Sequence, residues 1–116
     1  MAKADPVKRF SGPIHLYLRI QVSEQRQSEL LDFLRDAVPY YEAPGGTQVR
    51  FLQSRDHPDR FMEVIEYDSP ESFDQDQQRV VSDTEMPRYL ERWRALLDAA
   101  AEVEPYYDLT DQIHRS

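Results

Sequence analysis

A chain of 116 residues is the right size for one domain with its own hydrophobic core. Its 14 basic side chains stand against 22 acidic ones, a net charge of -8, so no basic field exists to hold phosphates and nucleic-acid binding is not expected. The absence of cysteine excludes disulfides and thiolate chemistry and suits a reducing cytoplasm, and no run approaches the roughly 18 apolar residues of a membrane span.

Residues 1–13 mix charges with Gly12, Pro6 and Pro13, and read as a loose leader with no signal-peptide core. Ile14 to Val22 then alternates strictly. Ile14, Leu16, Leu18, Ile20 and Val22 take one face of a strand, and His15, Tyr17, Arg19 and Gln21 the other. Ser23 offers a helix cap. Leu30, Leu31, Leu34, Ala37, Val38 and Tyr41 follow at helical spacing, with Pro39 expected to stop the helix near Val38. Pro44-Gly45-Gly46 breaks the chain.

Thr47 to Ser54 and Arg60 to Tyr67 read as two strands of a hairpin, joined by the polar segment Arg55 to Asp59. Ser69-Pro70-Glu71 combines a cap, an N1 proline and an acid at the positive end of the helix dipole, so a helix starts there and runs to about Val81. A second start at Asp83 or Thr84 leads into the apolar stripe Met86, Leu90, Trp93, Leu97 and Ala100. Val103 to Leu109 is the last strand, and residues 111–116 read as a tail.

This order is βαββαβ, an α+β ferredoxin-like pattern over residues 14–110, with an antiparallel four-stranded sheet in the order 4-1-3-2. Pro105 then falls on an edge strand, where its missing N–H costs little. Helices on one side leave the other sheet face bare. The first strand puts His15, Tyr17 and Arg19 on that face. The third strand offers either Phe61, Glu63, Ile65 and Tyr67 or Met62, Val64 and Glu66, and the first set is assigned to the open face because Met62 and Val64 suit a core. An Arg19–Glu63 pair follows from that choice. So aromatic an open face implies a second copy packed sheet to sheet.

The element order and the run Tyr67-Asp68-Ser69-Pro70-Glu71-Ser72-Phe73 resemble the dimeric α+β barrel superfamily, and within it the antibiotic-biosynthesis-monooxygenase-like domains. The resemblance implies a homodimer that holds small, often aromatic molecules between sheet and helices, some of which are oxidised without metal or flavin. The histidine that the family often carries three residues after its phenylalanine is Asp76 here. The chain has no asparagine, so the haem-degrading chemistry of some relatives is not carried over. No catalytic residue transfers by position.

The residues themselves supply the candidates. His15, Tyr17, Arg19, Glu63 and Tyr67 are the candidate catalytic groups, and Tyr41 and Trp93 the candidate pocket walls. A buried, hydrogen-bonded structural role is the favoured reading of His15 over a catalytic one, and a core role is the favoured reading of Trp93 and Met86 over a ligand wall. His57 falls in a loop and His114 in the tail, with no ligand spacing between histidines, so no metal and no cofactor are expected. Two readings follow: a cofactor-independent, monooxygenase-like enzyme acting on a small aromatic molecule, or a non-catalytic ligand-binding or stress-associated dimeric module. A polar group reaching the space between sheet and helices favours the first.

Overall fold

The computed structural model describes residues 10–114. Four strands, β1 (Ile14–Gln21), β2 (Thr47–Gln53), β3 (Arg60–Tyr67) and β4 (Glu102–Tyr107), form one antiparallel sheet in the order β2-β3-β1-β4. Helices α1 (Gln27–Glu42), α2 (Pro70–Ser82) and α3 (Met86–Leu96) accompany it, and one helical turn, α4 (Thr110–Ile113), closes the described chain where a tail was expected. The fold is therefore the α+β ferredoxin-like one, with β4 at an edge and Pro105 opposite Leu16. Most of the leader, residues 1–9, lies outside the described residues. Phe10, at its end, packs on Tyr107 with ring centroids 4.8 Å apart.

The face assignment of the third strand is corrected. Directly opposed residues in an antiparallel pair share a face. Leu18 opposes Glu63, Leu16 opposes Ile65 and Ile20 opposes Phe61, so Phe61, Glu63, Ile65 and Tyr67 lie on the same side as the apolar residues of β1 and face the core. Met62, Val64 and Glu66 lie on the open side, opposite Arg19, Tyr17 and His15. The physical reason is volume together with strand position. The space under the helices takes the larger Phe61, Ile65 and Tyr67, while a central strand needs apolar residues on both faces and Val64 is buried on the open one. Arg19 and Glu63 consequently sit on opposite faces and do not pair. Arg19 reaches Glu102 on β4 instead, at 3.6 Å.

The first helix also differs from expectation. It runs through Pro39 to Glu42. A proline inside a helix removes one hydrogen bond and typically costs about 3 kcal/mol. Here the extra turn buries Tyr41 in the core, sets Tyr40 against Tyr89 at 4.8 Å, and gives the carbonyls of Tyr40 and Tyr41 to the Arg79 guanidinium. Ser23 makes no side-chain cap; a 3₁₀ turn, Glu24–Arg26, leads into the helix. The Ser69 cap forms as read, its hydroxyl accepting from the Ser72 N–H at 3.2 Å with Pro70 behind it. Gly46 adopts φ +71° beside Asp68 and Ser72, where a side chain would collide.

The core lies between sheet and helices. Leu18, Ile20, Phe61, Ile65 and Tyr67 meet Leu30, Phe33, Leu34, Ala37 and Tyr41 of α1 and Met86 and Trp93 of α3. Helix α2 contributes no buried residue.

Candidate functional site

The seven candidate residues separate into two groups. Glu63, Tyr67, Tyr41 and Trp93 come together on the helix side of the sheet, all within the core cluster or bounding it. His15, Tyr17 and Arg19 remain on the open side.

In the first group, Glu63 sits mid-strand on β3, opposed by Leu18 on β1 and Phe51 on β2. It is 3% exposed and is the one charged side chain buried among the described residues. A carboxylate without water or a cation is costly, and burial pushes the Glu63 carboxyl up to about 7. The indole of Trp93 lies near enough to oppose that rise but stops short of hydrogen-bond geometry. Glu63 Oε1 and Trp93 Nε1 are both left buried without a partner. Around them the walls are aromatic. Phe61 stacks on Phe51 at 5.1 Å, and Tyr41, Phe33 and Tyr89 gather at the α1–α3 contact.

Burial, and then the Glu63 charge, raise the Tyr41 phenol well above its usual range, so it stays a neutral donor. Tyr67, fully buried, donates to Asp76 Oδ2 of α2 at 2.5 Å; burial and this bond keep it protonated as well. Sequence reasoning placed Asp76 only as a missing histidine. Its position three residues after Phe73, one helical turn on, was the available signal, because Phe73 packs edge-on against Tyr67 at 5.2 Å. Helix α2 is held by such polar contacts at its middle and its end. Asp76 meets Tyr67, Arg79 caps α1 and lies over the Tyr40 ring at 4.4 Å, and Asp83 accepts from the Tyr40 hydroxyl.

The open side carries charges that are paired. His15 Nε2 meets Asp108 Oδ2 at 2.7 Å, and Arg50 meets Glu66 at 2.9 Å. The Thr110 hydroxyl and N–H, and then His15, hold Asp108 down to about 2, a carboxylate at any ordinary pH. Tyr17 and Tyr106 touch edge to face at 5.0 Å. A shallow cleft of about 870 Å³ runs over this side, lined by His15, Tyr17, Arg19, Glu66, Glu104 and Tyr106 among others. His57 and His114 are exposed and distant in the chain from these groups. Among the described residues no cluster of His, Asp or Glu is arranged to hold a metal ion, and no helix is long and apolar enough to cross a membrane.

Comparison with known proteins follows the same outline. The family model for antibiotic biosynthesis monooxygenase matches residues 13–80, from the start of β1 through most of α2. A conserved protein from Methanosarcina mazei Go1 superposes with a TM-score of 0.71 at 17% identity, covering 84% of this chain and 93% of its own. A variant of SnoaB, a cofactor-independent oxygenase from Streptomyces nogalater, gives 0.70 at 12% identity, covering 84% of this chain and 93% of its own. Protein SO0527 from Shewanella oneidensis gives 0.65 at 19% identity, covering 84% and 91% respectively. At these identities the likeness shows the fold alone. No curated protein matches the chain in sequence.

Proposed function

The chain belongs to the antibiotic biosynthesis monooxygenase family, and from that premise we propose that it is a homodimeric, monooxygenase-like enzyme acting on a small aromatic molecule between sheet and helices. The observation that carries this reading is the buried, unpartnered Glu63 carboxyl beside the Trp93 indole, inside an otherwise aromatic interior. A core built only for stability has no use for an unsatisfied acid, since packing an apolar residue of similar volume there is the more stable choice. Perturbed buried carboxyls cluster where chemistry is done. The chemistry in this reading is oxidation of an activated CH2 of the substrate by dioxygen to a carbonyl, without metal or flavin: one oxygen atom ends in the new C=O, the other leaves as water with the two hydrogens, and the substrate itself supplies all the electrons.

The working unit in this reading is a pair of copies packed through the open sheet face in a reducing, cytoplasmic setting. Support comes from Tyr17, Met62, Leu52 and Tyr106, which give that face apolar area, and from the paired charges between them, which lower the cost of covering it. The test is direct. Dioxygen consumption by the purified protein is measured with a panel of hydroxylated polycyclic aromatics, alongside native mass spectrometry of what the protein retains. Turnover with at least one compound is expected. Retention of an aromatic compound with no dioxygen uptake across the panel would instead support the binding-module reading. Sedimentation equilibrium should give a dimer, and a monomer at micromolar concentration would overturn the sheet-to-sheet assembly.

A further inference from the structure

The described surface carries clefts of about 870, 540 and 390 Å³, and none of the three is lined by Glu63, Trp93 or Tyr41. None of them therefore leads a small molecule to the space between sheet and helices, and entry there takes movement of a covering element. The three helices differ in what that movement costs. Helix α1 buries Leu30, Phe33, Leu34, Ala37 and Tyr41, and α3 buries Met86 and Trp93. Helix α2 buries none; its Phe73 and Val80 are only partly covered, and Val81 is 79% exposed. The cost of lifting a helix grows with the apolar area it uncovers, so α2 is the cheapest of the three to move.

What holds α2 down is mostly polar. At its middle, Asp76 accepts from the Tyr67 hydroxyl at 2.5 Å. At its last turn, the Arg79 guanidinium donates to the carbonyls of Tyr40 and Tyr41 at 3.0 and 3.4 Å and lies over the Tyr40 ring. Asp83 accepts from the Tyr40 hydroxyl and stands 3.7 Å from Arg79. Arg79 and Asp83 are 19% and 26% exposed, sheltered enough to hold and near enough to solvent for water to take over each bond as it breaks. The chain enters α2 through the extended Ser69 and leaves it through residues 83–85, which link α2 to α3 without helix. Such element-terminal positions absorb the backbone rotation of a hinge. Behind α2 stand Tyr67 and Tyr41, and both phenols lie close enough to Glu63 to feel its charge.

We propose that α2 is the lid of this interior: it swings about Ser69 and residues 83–85 to admit a small neutral molecule past Tyr67 and Tyr41, and the Arg79–Tyr40–Asp83 clasp holds it shut between passages. What passes through in the cell rests on the small-molecule reading above; the motion itself rests on how the helices are packed.

Trp93 is the one tryptophan of the chain and is buried, so its emission reports on the opening. Acrylamide, itself a small neutral molecule, should quench wild type weakly and Arg79→Ala about threefold or more strongly, with far-UV circular dichroism unchanged. Hydrogen exchange of wild type should show the α2 amides about tenfold or more less protected than those of α1 and the strands. Arg79→Ala should widen that gap by about a further tenfold, the factor that one lost charge-assisted hydrogen bond supplies. Tyr40→Phe drops the hydroxyl that Asp83 accepts from and keeps the ring against Tyr89, so it should move both readouts the same way by less. It decides the matter if Arg79→Ala does not fold. Wild-type α2 amides as protected as those of α1, quenching that rises in neither variant, or exchange that quickens equally in every element would each overturn the lid. A protein that turns over an aromatic while α2 stays as protected as the strands removes the lid alone. One whose α2 opens as described, yet which retains and oxidises no aromatic, removes the small-molecule reading and leaves the lid standing.

Discussion

On the helix-covered face of the sheet, Glu63 is 3% exposed and keeps an oxygen with no partner. On the open face, Arg50 and Glu66 meet at 2.9 Å while 57% and 28% exposed, and His15 lies 2.7 Å from Asp108. The same strands supply both faces, one residue apart. The dry face holds one unmatched charge among aromatic rings, and the wet face holds several matched ones. A charge left unmatched in a dry place raises the energy of the empty protein and lowers that of a complex that matches it, which is the arrangement expected of a ligand site. Matched charges around apolar side chains do the reverse: they leave the surface stable in water and still coverable.

Substitutions separate the two faces by size of effect. Tyr67→Ala removes a fully buried ring packed against Phe73 and should cost about 3–5 kcal/mol, read from the urea midpoint. A loss below about 1 kcal/mol would mean that the helix layer is not packed on β3 as described.

Glu63→Gln tests the unmatched charge itself. The folded protein holds the Glu63 proton up to about 7, whereas the ordinary value is 4.5. As pH rises through that window the unfolded chain loses its proton first, so unfolding becomes easier. Wild type should therefore lose up to about 3 kcal/mol relative to Glu63→Gln between pH 4.5 and pH 8. Denaturation curves of the two proteins across that range measure it, and a pH-independent difference would put the carboxyl in contact with water. Where turnover is found, the same variant should be slower by about 10²-fold or more, as expected on removing a general base.

Tyr67→Phe strips Asp76 of its donor and should cost about 1 kcal/mol. Hydrogen exchange of the α2 amides should quicken more than that of the strands, since this helix buries no residue of its own. Arg50→Ala on the open face should cost under about 1 kcal/mol and fade with salt. A larger, concentration-dependent loss would show that Arg50 lies in the sheet-to-sheet contact.

Much of the fold was legible because it is written in short-range patterns. The alternation from Ile14, the Ser69-Pro70 start and the edge position of Pro105 all reappear in the structure. Pro39 misled, since local geometry says stop, while the burial of Tyr41 and the Arg79 cap of the final carbonyls carry the helix on to Glu42. The faces of β3 misled for a different reason. Phe61, Ile65 and Tyr67 alternate with Met62 and Val64, so both faces are apolar and period two cannot say which is inside.

The sequence by itself determined the element order, the strand order and the absence of thiol chemistry, because these depend on neighbours along the chain and on composition. Only the tertiary structure decided where Glu63 goes. Pairing Leu18 with Glu63 across β1 and β3 turns the acid inward, and α3 then brings Trp93 beside it from thirty positions further along the chain. A one-residue shift in that register would have exposed the carboxyl to water and left an ordinary surface glutamate, so the candidate site is a property of strand pairing and not of any local motif.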